Sequence, residues 1–167
     1  MGEPGINLTA NEVLEIAVQI ERNGIRFYEQ AAVAVQRAED RRLLQSLAEM
    51  EADHEKMFLE LQAALTPAER AGSEIDADAE AAQYLQAIAD GHVFDIQLEP
   101  TDILTGRETP EEILSIAIGL EKESVVYYSA LREIISSAAS RAKVEQVIRE
   151  ELRHVAQLSR QRAALAR

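Results

Sequence analysis

Glu51-Ala52-Asp53-His54 and Glu151-Leu152-Arg153-His154 repeat one step, a glutamate followed three residues later by a histidine. The chain has 3 His, and two of them close such a step. Residues three apart share a helix face, so each step aims a carboxylate and an imidazole the same way. Glu21 and Glu121 form another pair separated by the same one hundred positions. The order Glu, Glu-x-x-His, Glu, Glu-x-x-His is a donor set that holds two metal ions inside a four-helix bundle. Charge agrees with that reading. Four carboxylates neutralise two divalent cations, whereas without cations they repel in a low dielectric and must take up protons. Mixed carboxylate and imidazole donors suit iron or manganese, and zinc would also bind.

A lone Glu-x-x-His on a charged helix is usually a solvated face, so the helices that would carry these residues decide whether they meet. Thr9-Ala10-Asn11-Glu12 has the form of a capping box. From it, apolar or small residues recur at Val13, Ala17, Ile20, Gly24, Tyr28 and Ala31, the stripe of a bundle helix with Glu21 on its edge. A polar turn follows around Gln36 to Asp40. The second helix shows Leu44, Leu47, Glu51, His54, Phe58, Leu61 and Leu65 at three-four spacing, and Thr66-Pro67 is expected to close it. Glu51 and His54 thus stand where the pattern asks for core, and buried polar groups need partners. Thr109-Pro110-Glu111-Glu112 opens the third helix with a second capping box and Pro at its first position. That helix continues through Ile113, Ala117, Leu120, Glu121, Ser124, Tyr128 and Leu131. After a turn at Ser136 to Ser140, the fourth carries Val144, Val147, Glu151, His154 and Leu158.

The halves superpose at an offset of one hundred: Thr9 on Thr109, Glu12 on Glu112, Ala17 on Ala117, Tyr28 on Tyr128. This is a duplicated helical hairpin, with hairpins at about 9–65 and about 109–165. Within each hairpin the lone Glu and the Glu-x-x-His step are nearly equidistant from the turn, so they reach one level of the bundle. The connection over residues 66–108 carries an expected helix from about Asp76 to Asp90, a break at Gly91, and an extended or irregular stretch from Phe94 to Pro100. If the hairpins pack about a pseudo-twofold axis, the second and third helices run parallel. The chain must then return along the bundle, roughly 35–40 Å for helices of about 25 residues. An up-down-up-down bundle would need only a short loop there. His92 lies in this connection without a partner at ligand spacing and reads as a loop residue, and Met50 and Met57 read as packing residues.

Composition closes off other functions. A length of 167 residues fits one domain over 1–167. The 47% hydrophobic and 28% charged residues, with 7 Gly and 4 Pro, suit an all-helical globular protein. The net charge of -13 argues against nucleic acid and anionic membrane surfaces as partners. With Cys 0, disulfides, iron–sulfur clusters and four-cysteine iron sites are excluded. Met1 to Gly5 have neither the basic nor the apolar region of a signal peptide, and no apolar run approaches the roughly 18 residues of a spanning helix. The expected location is the cytoplasm.

The motifs also carry a family resemblance. Ile16-Ala17-x-x-Ile20-Glu21 with Phe27-Tyr28, and Ile116-Ala117-x-x-Leu120-Glu121 with Tyr127-Tyr128, resemble the ferritin-like diiron-carboxylate proteins, most closely the rubrerythrin group. The resemblance spans both hairpins and implies an all-α, ferritin-like four-helix bundle with an extra helix in its crossover. It further implies two iron ions, with Glu51 and Glu151 bridging and Glu21, His54, Glu121 and His154 as terminal ligands. Tyr28 and Tyr128 would be hydrogen-bond donors or electron relays beside the metals, or core residues with satisfied hydroxyls. The implied activity is oxidoreduction with O₂ or H₂O₂, of peroxidase or ferroxidase type, in a homodimer. Two departures stand out. Peroxide-reducing relatives carry an extra glutamate one turn after the third-helix ligand, where this chain has Ser124, with Gly24 as its mate in the first hairpin. With no rubredoxin-type iron site, electrons are expected from a separate donor protein. The competing expectation is iron storage or sensing without turnover. A storage shell is disfavoured because the chain ends soon after the fourth helix, with no fifth helix of the kind that cage-forming ferritins use.

Overall fold

The structure, a computed structural model, describes residues 9–71, 80–89 and 103–165. Every regular element among the described residues is helical: α1 (Ala10–Ala34), α2 (Ala38–Ala63), α3 (Pro67–Ala71), α4 (Glu80–Ala89), α5 (Pro110–Ile134) and α6 (Ala138–Leu165). The expected helix in the crossover is present as α4; residues 76–79 and 90, His92 and the stretch from Phe94 to Pro100 lie outside the described residues.

The long helices start where the capping chemistry places them. Thr9 Oγ1 accepts from Glu12 N at 3.2 Å while Thr9 N donates to the Glu12 carboxylate at 2.8 Å. The same reciprocal pair joins Thr109 and Glu112, at 3.2 and 2.7 Å, with Pro110 in the first turn. α1 stops at Val35, whose N–H still reaches Ala31 O, and three residues later α2 begins. One expectation is corrected. α2 ends at Ala63, ahead of Thr66-Pro67, and Thr66 instead caps α3 through its own box with Glu69. The Thr-x-x-Glu pattern at Thr66 is as legible as those at Thr9 and Thr109. Asp40 is a second correction: it belongs to the first turn of α2 and is buried, its Oδ1 accepting from Gln161 Nε2 at 2.6 Å.

Contacts between the hairpins fix the topology. Tyr28 reaches Glu121 and Tyr128 reaches Glu21, so α1 and α5 run antiparallel. His54 reaches Glu151 and His154 reaches Glu51, so α2 and α6 are antiparallel as well. With α1 and α2 antiparallel across a three-residue turn, α2 and α5 must be parallel, as the length of the crossover requires. This is the ferritin-like four-helix bundle. Its apolar core falls into two clusters. One gathers Val13, Leu14, Ala17, Phe58, Leu61, Tyr127, Tyr128, Leu131, Val144 and Val147, with Leu85 and Ile88 of α4 added. The other gathers Phe27, Tyr28, Ala31, Leu44, Leu47, Ile113, Leu114, Ala117 and Leu158. On every long helix the residues of the first cluster lie on one side of the Glu or Glu-x-x-His positions and those of the second lie on the other. The six polar residues therefore form a layer between two apolar plugs. No helix among the described residues is long and apolar enough to cross a membrane.

Removing an N-cap hydroxyl exposes an unpaired backbone N–H. Thr109→Ala is expected to lower unfolding free energy by about 1 kcal/mol in denaturant titrations, with an unchanged m-value. No change would mean that Pro110 and packing set the start of α5 without the cap.

Candidate metal centre

Glu21 comes from α1, Glu51 and His54 from α2, Glu121 from α5, and Glu151 and His154 from α6, and all are at most 4% exposed. They form two groups whose donor atoms lie within 4.8 Å of one another: Glu21, Glu51, His54 and Glu151, then Glu51, Glu121, Glu151 and His154. Glu51 and Glu151 belong to both groups; each lone Glu pairs with the histidine of its own hairpin. Both imidazoles point Nδ1 inward. His54 Nδ1 lies 3.0 Å from Glu151 Oε1, 3.6 Å from Glu51 Oε2 and 3.7 Å from Glu21 Oε2. His154 Nδ1 lies 3.0 Å from Glu151 Oε2 and 3.4 Å from both Glu51 Oε1 and Glu121 Oε2. The two rings are nearly parallel, with centroids 5.8 Å apart.

Tyr28 and Tyr128 are fully buried, and their hydroxyls donate across the hairpins, Tyr28 to Glu121 Oε1 and Tyr128 to Glu21 Oε1. Each tyrosine thus fixes the lone glutamate of the opposite hairpin. Burial, reinforced by the nearby carboxylates, pushes both phenols well above their ordinary range, so they remain protonated donors. One neighbour is absent from the expectations: Glu150, whose carboxylate accepts from His54 Nε2 at 2.7 Å. It sits one residue before Glu151, and its counterpart in the duplication is Met50, so the repeat gives no signal for it. Gly24 and Ser124, the two departures, put no further donor into the layer. A Cβ at residue 24 would lie 3.3 Å from Glu51 Cγ, and Ser124 spends its hydroxyl on Leu120 O at 3.1 Å.

The electrostatics show a layer that needs positive charge. Burial, helped by Glu51 and Glu151, pushes Glu21 and Glu121 well above the usual carboxylate range. Burial also pushes Glu51 and Glu151 up, but the close approach of the lone glutamates and the histidines outweighs it and holds both down. For the imidazoles burial alone would favour the neutral form. Glu151, Glu21 and Glu51 overturn that at His54, and Glu121, Glu151 and Glu51 raise His154 to about 11. Neutral Glu21 and Glu121, ionised Glu51 and Glu151, and two imidazolium ions balance to zero. Protons do here what divalent cations would otherwise do.

The residues fit a metal on an observation independent of charge. Glu21 Oε2, Glu51 Oε1, His54 Nδ1 and Glu151 Oε1 are buried atoms that approach one another at ion-pair distance but make no well-formed hydrogen bond among the described residues. Such atoms are costly unless something else engages them, and all four face the layer. Cation binding must displace the protons, because metal ligands bind deprotonated. Affinity for a divalent cation is therefore expected to fall steadily as pH falls. Calorimetry in buffers of different ionisation enthalpy should show proton release, one for each imidazolium and one for each neutral carboxyl. Metal binding without proton release would contradict this description of the layer.

The sequence model of the Rubrerythrin family matches residues 7–96, more than half of the chain and the whole of its first hairpin. Among solved structures, the chain resembles a protein from Thermotoga maritima described as a ferritin-like diiron-carboxylate protein. The TM-score is 0.68 at 20% sequence identity, over 94% of this chain and 96% of that one, a likeness that establishes the fold. No curated protein matches the chain. With the second hairpin supplying the same layer of donors as the first, the chain belongs to the rubrerythrin family.

Proposed function

We propose that the protein is a non-haem diiron oxidoreductase that takes O₂ or H₂O₂ as oxidant, of peroxidase or ferroxidase type, acting in oxidative-stress defence or iron handling. The observation that carries this reading is the pair of four-residue donor groups that share Glu51 and Glu151. Glu21 and His54 would complete one metal position and Glu121 and His154 the other. Family membership supports iron over manganese or zinc. Bound there, two irons would supply a two-electron redox couple held at a spacing set by the shared carboxylates.

The chain's own residues do the rest. Tyr28 and Tyr128 hold Glu121 and Glu21 in place across the hairpins, so the donor atoms are positioned before a metal arrives. The apolar clusters above and below keep bulk water out and strengthen every charge interaction in the layer. A separate protein would serve as the electron donor. A homodimer in the cytoplasm completes the reading.

Anaerobic loading with Fe(II) should give two irons per chain. Addition of H₂O₂ or O₂ should then oxidise both, seen as new near-ultraviolet absorption, and a reductant should restore the ferrous form for repeated cycles. Glu51→Ala and His154→Ala should bind less iron. Wild-type iron content in those variants, or ferrous protein inert to both oxidants, would refute the proposal. Accumulation of iron far beyond two per chain would favour storage.

A further inference from the structure

The halves of the centre match in their donors but differ behind one of them. On the carboxylate side the match is complete: Tyr128 serves Glu21 as Tyr28 serves Glu121. On the histidine side it fails. His54 Nε2 donates to Glu150 Oε2 at 2.7 Å, and Glu150 Oε1 is held in turn by Gln146 Nε2 at 3.0 Å. His154 Nε2 is buried with no hydrogen-bond partner among the described residues, and Met50 occupies the position that the duplication assigns to a counterpart of Glu150.

That difference bears on metal binding. A carboxylate on Nε2 fixes the tautomer that leaves the Nδ1 lone pair toward the layer, locks the ring, and makes Nδ1 a stronger donor. His54 has all three benefits. His154 must adopt the same tautomer by leaving a buried N–H unpaired, which is unfavourable. Glu150 also keeps a 21% exposed side chain, so it links a buried ligand to the rim of the bundle. We propose that Glu150 is a positioning residue that makes the Glu21/His54 position bind a divalent cation more tightly than the Glu121/His154 position, so that the two cations load in order. This rests on the reading that the centre holds two metals.

The test is anaerobic titration of metal-free protein with Co(II), followed by visible absorption and calorimetry, with helicity checked by circular dichroism. Wild type should show two resolved steps of one equivalent each, separated by about 10–100-fold in affinity. Glu150→Ala and the isosteric Glu150→Gln should weaken the first step by about that factor and spare the second, so that the steps merge. Met50→Glu should instead tighten the second step. That gain cannot arise from structural damage, and it decides the matter if the Glu150 variants fold poorly. Two indistinguishable wild-type sites, or unchanged steps in both Glu150→Gln and Met50→Glu, would overturn the inference and leave the two-metal reading intact. Fewer than two cations per wild-type chain would overturn both.

Discussion

Four carboxylates and two imidazoles lie in one buried layer between two apolar clusters, and the rest of the structure follows from the need to neutralise them. Each ion taken from water into such an interior costs several kcal/mol, on the order of what a whole domain gains by folding. The layer has two ways to reach zero net charge. It can bind protons, with imidazolium ions set against Glu51 and Glu151, or it can exchange those protons for divalent cations. The second way also engages the buried oxygen and nitrogen atoms that the first leaves without well-formed hydrogen bonds. A fold that keeps this layer in place is committed to a charged occupant.

The architecture serves that commitment. Two hairpins of the same plan meet with α1 antiparallel to α5 and α2 antiparallel to α6, so donors from both halves gather in one layer. The arrangement needs α2 and α5 parallel, so the connection between them, which contains α4, has to span the length of the bundle. Packing α4 residues Leu85 and Ile88 into one apolar cluster lets the crossover add to the core that seals the layer. The tyrosines cross between hairpins, so the lone glutamates are set only when both halves are docked. Two-fold symmetry holds for the donors and for the tyrosines. It is broken at Glu150 and Met50 and at Gly24 and Ser124, none of which is among the six donors.

Much of this was legible in the sequence, and the reasons for the rest are physical. The ligand set could be read because Glu-x-x-His at core positions contradicts the apolar period, and the contradiction occurs twice at one offset. The helix starts at Thr9 and Thr109 could be read because capping is a local interaction within four residues. Thr66 reads as a helix stop because of its Pro neighbour, although the same Pro also suits a first helical position. Asp40 and Glu150 could not be read at all. The partner of Asp40 is Gln161, far along the chain, and Glu150 resembles any charged residue on a helix rim until His54 is brought against it. The role of the tyrosine hydroxyls likewise depends on a contact between hairpins that no local pattern encodes.

If the layer holds two metals shared by Glu51 and Glu151, anomalous diffraction at the iron edge from crystals grown anaerobically with Fe(II) should show two peaks per chain inside it, one beside Glu21 and His54 and the other beside Glu121 and His154. A single peak, or iron bound only outside the layer, would rule out a shared two-metal site.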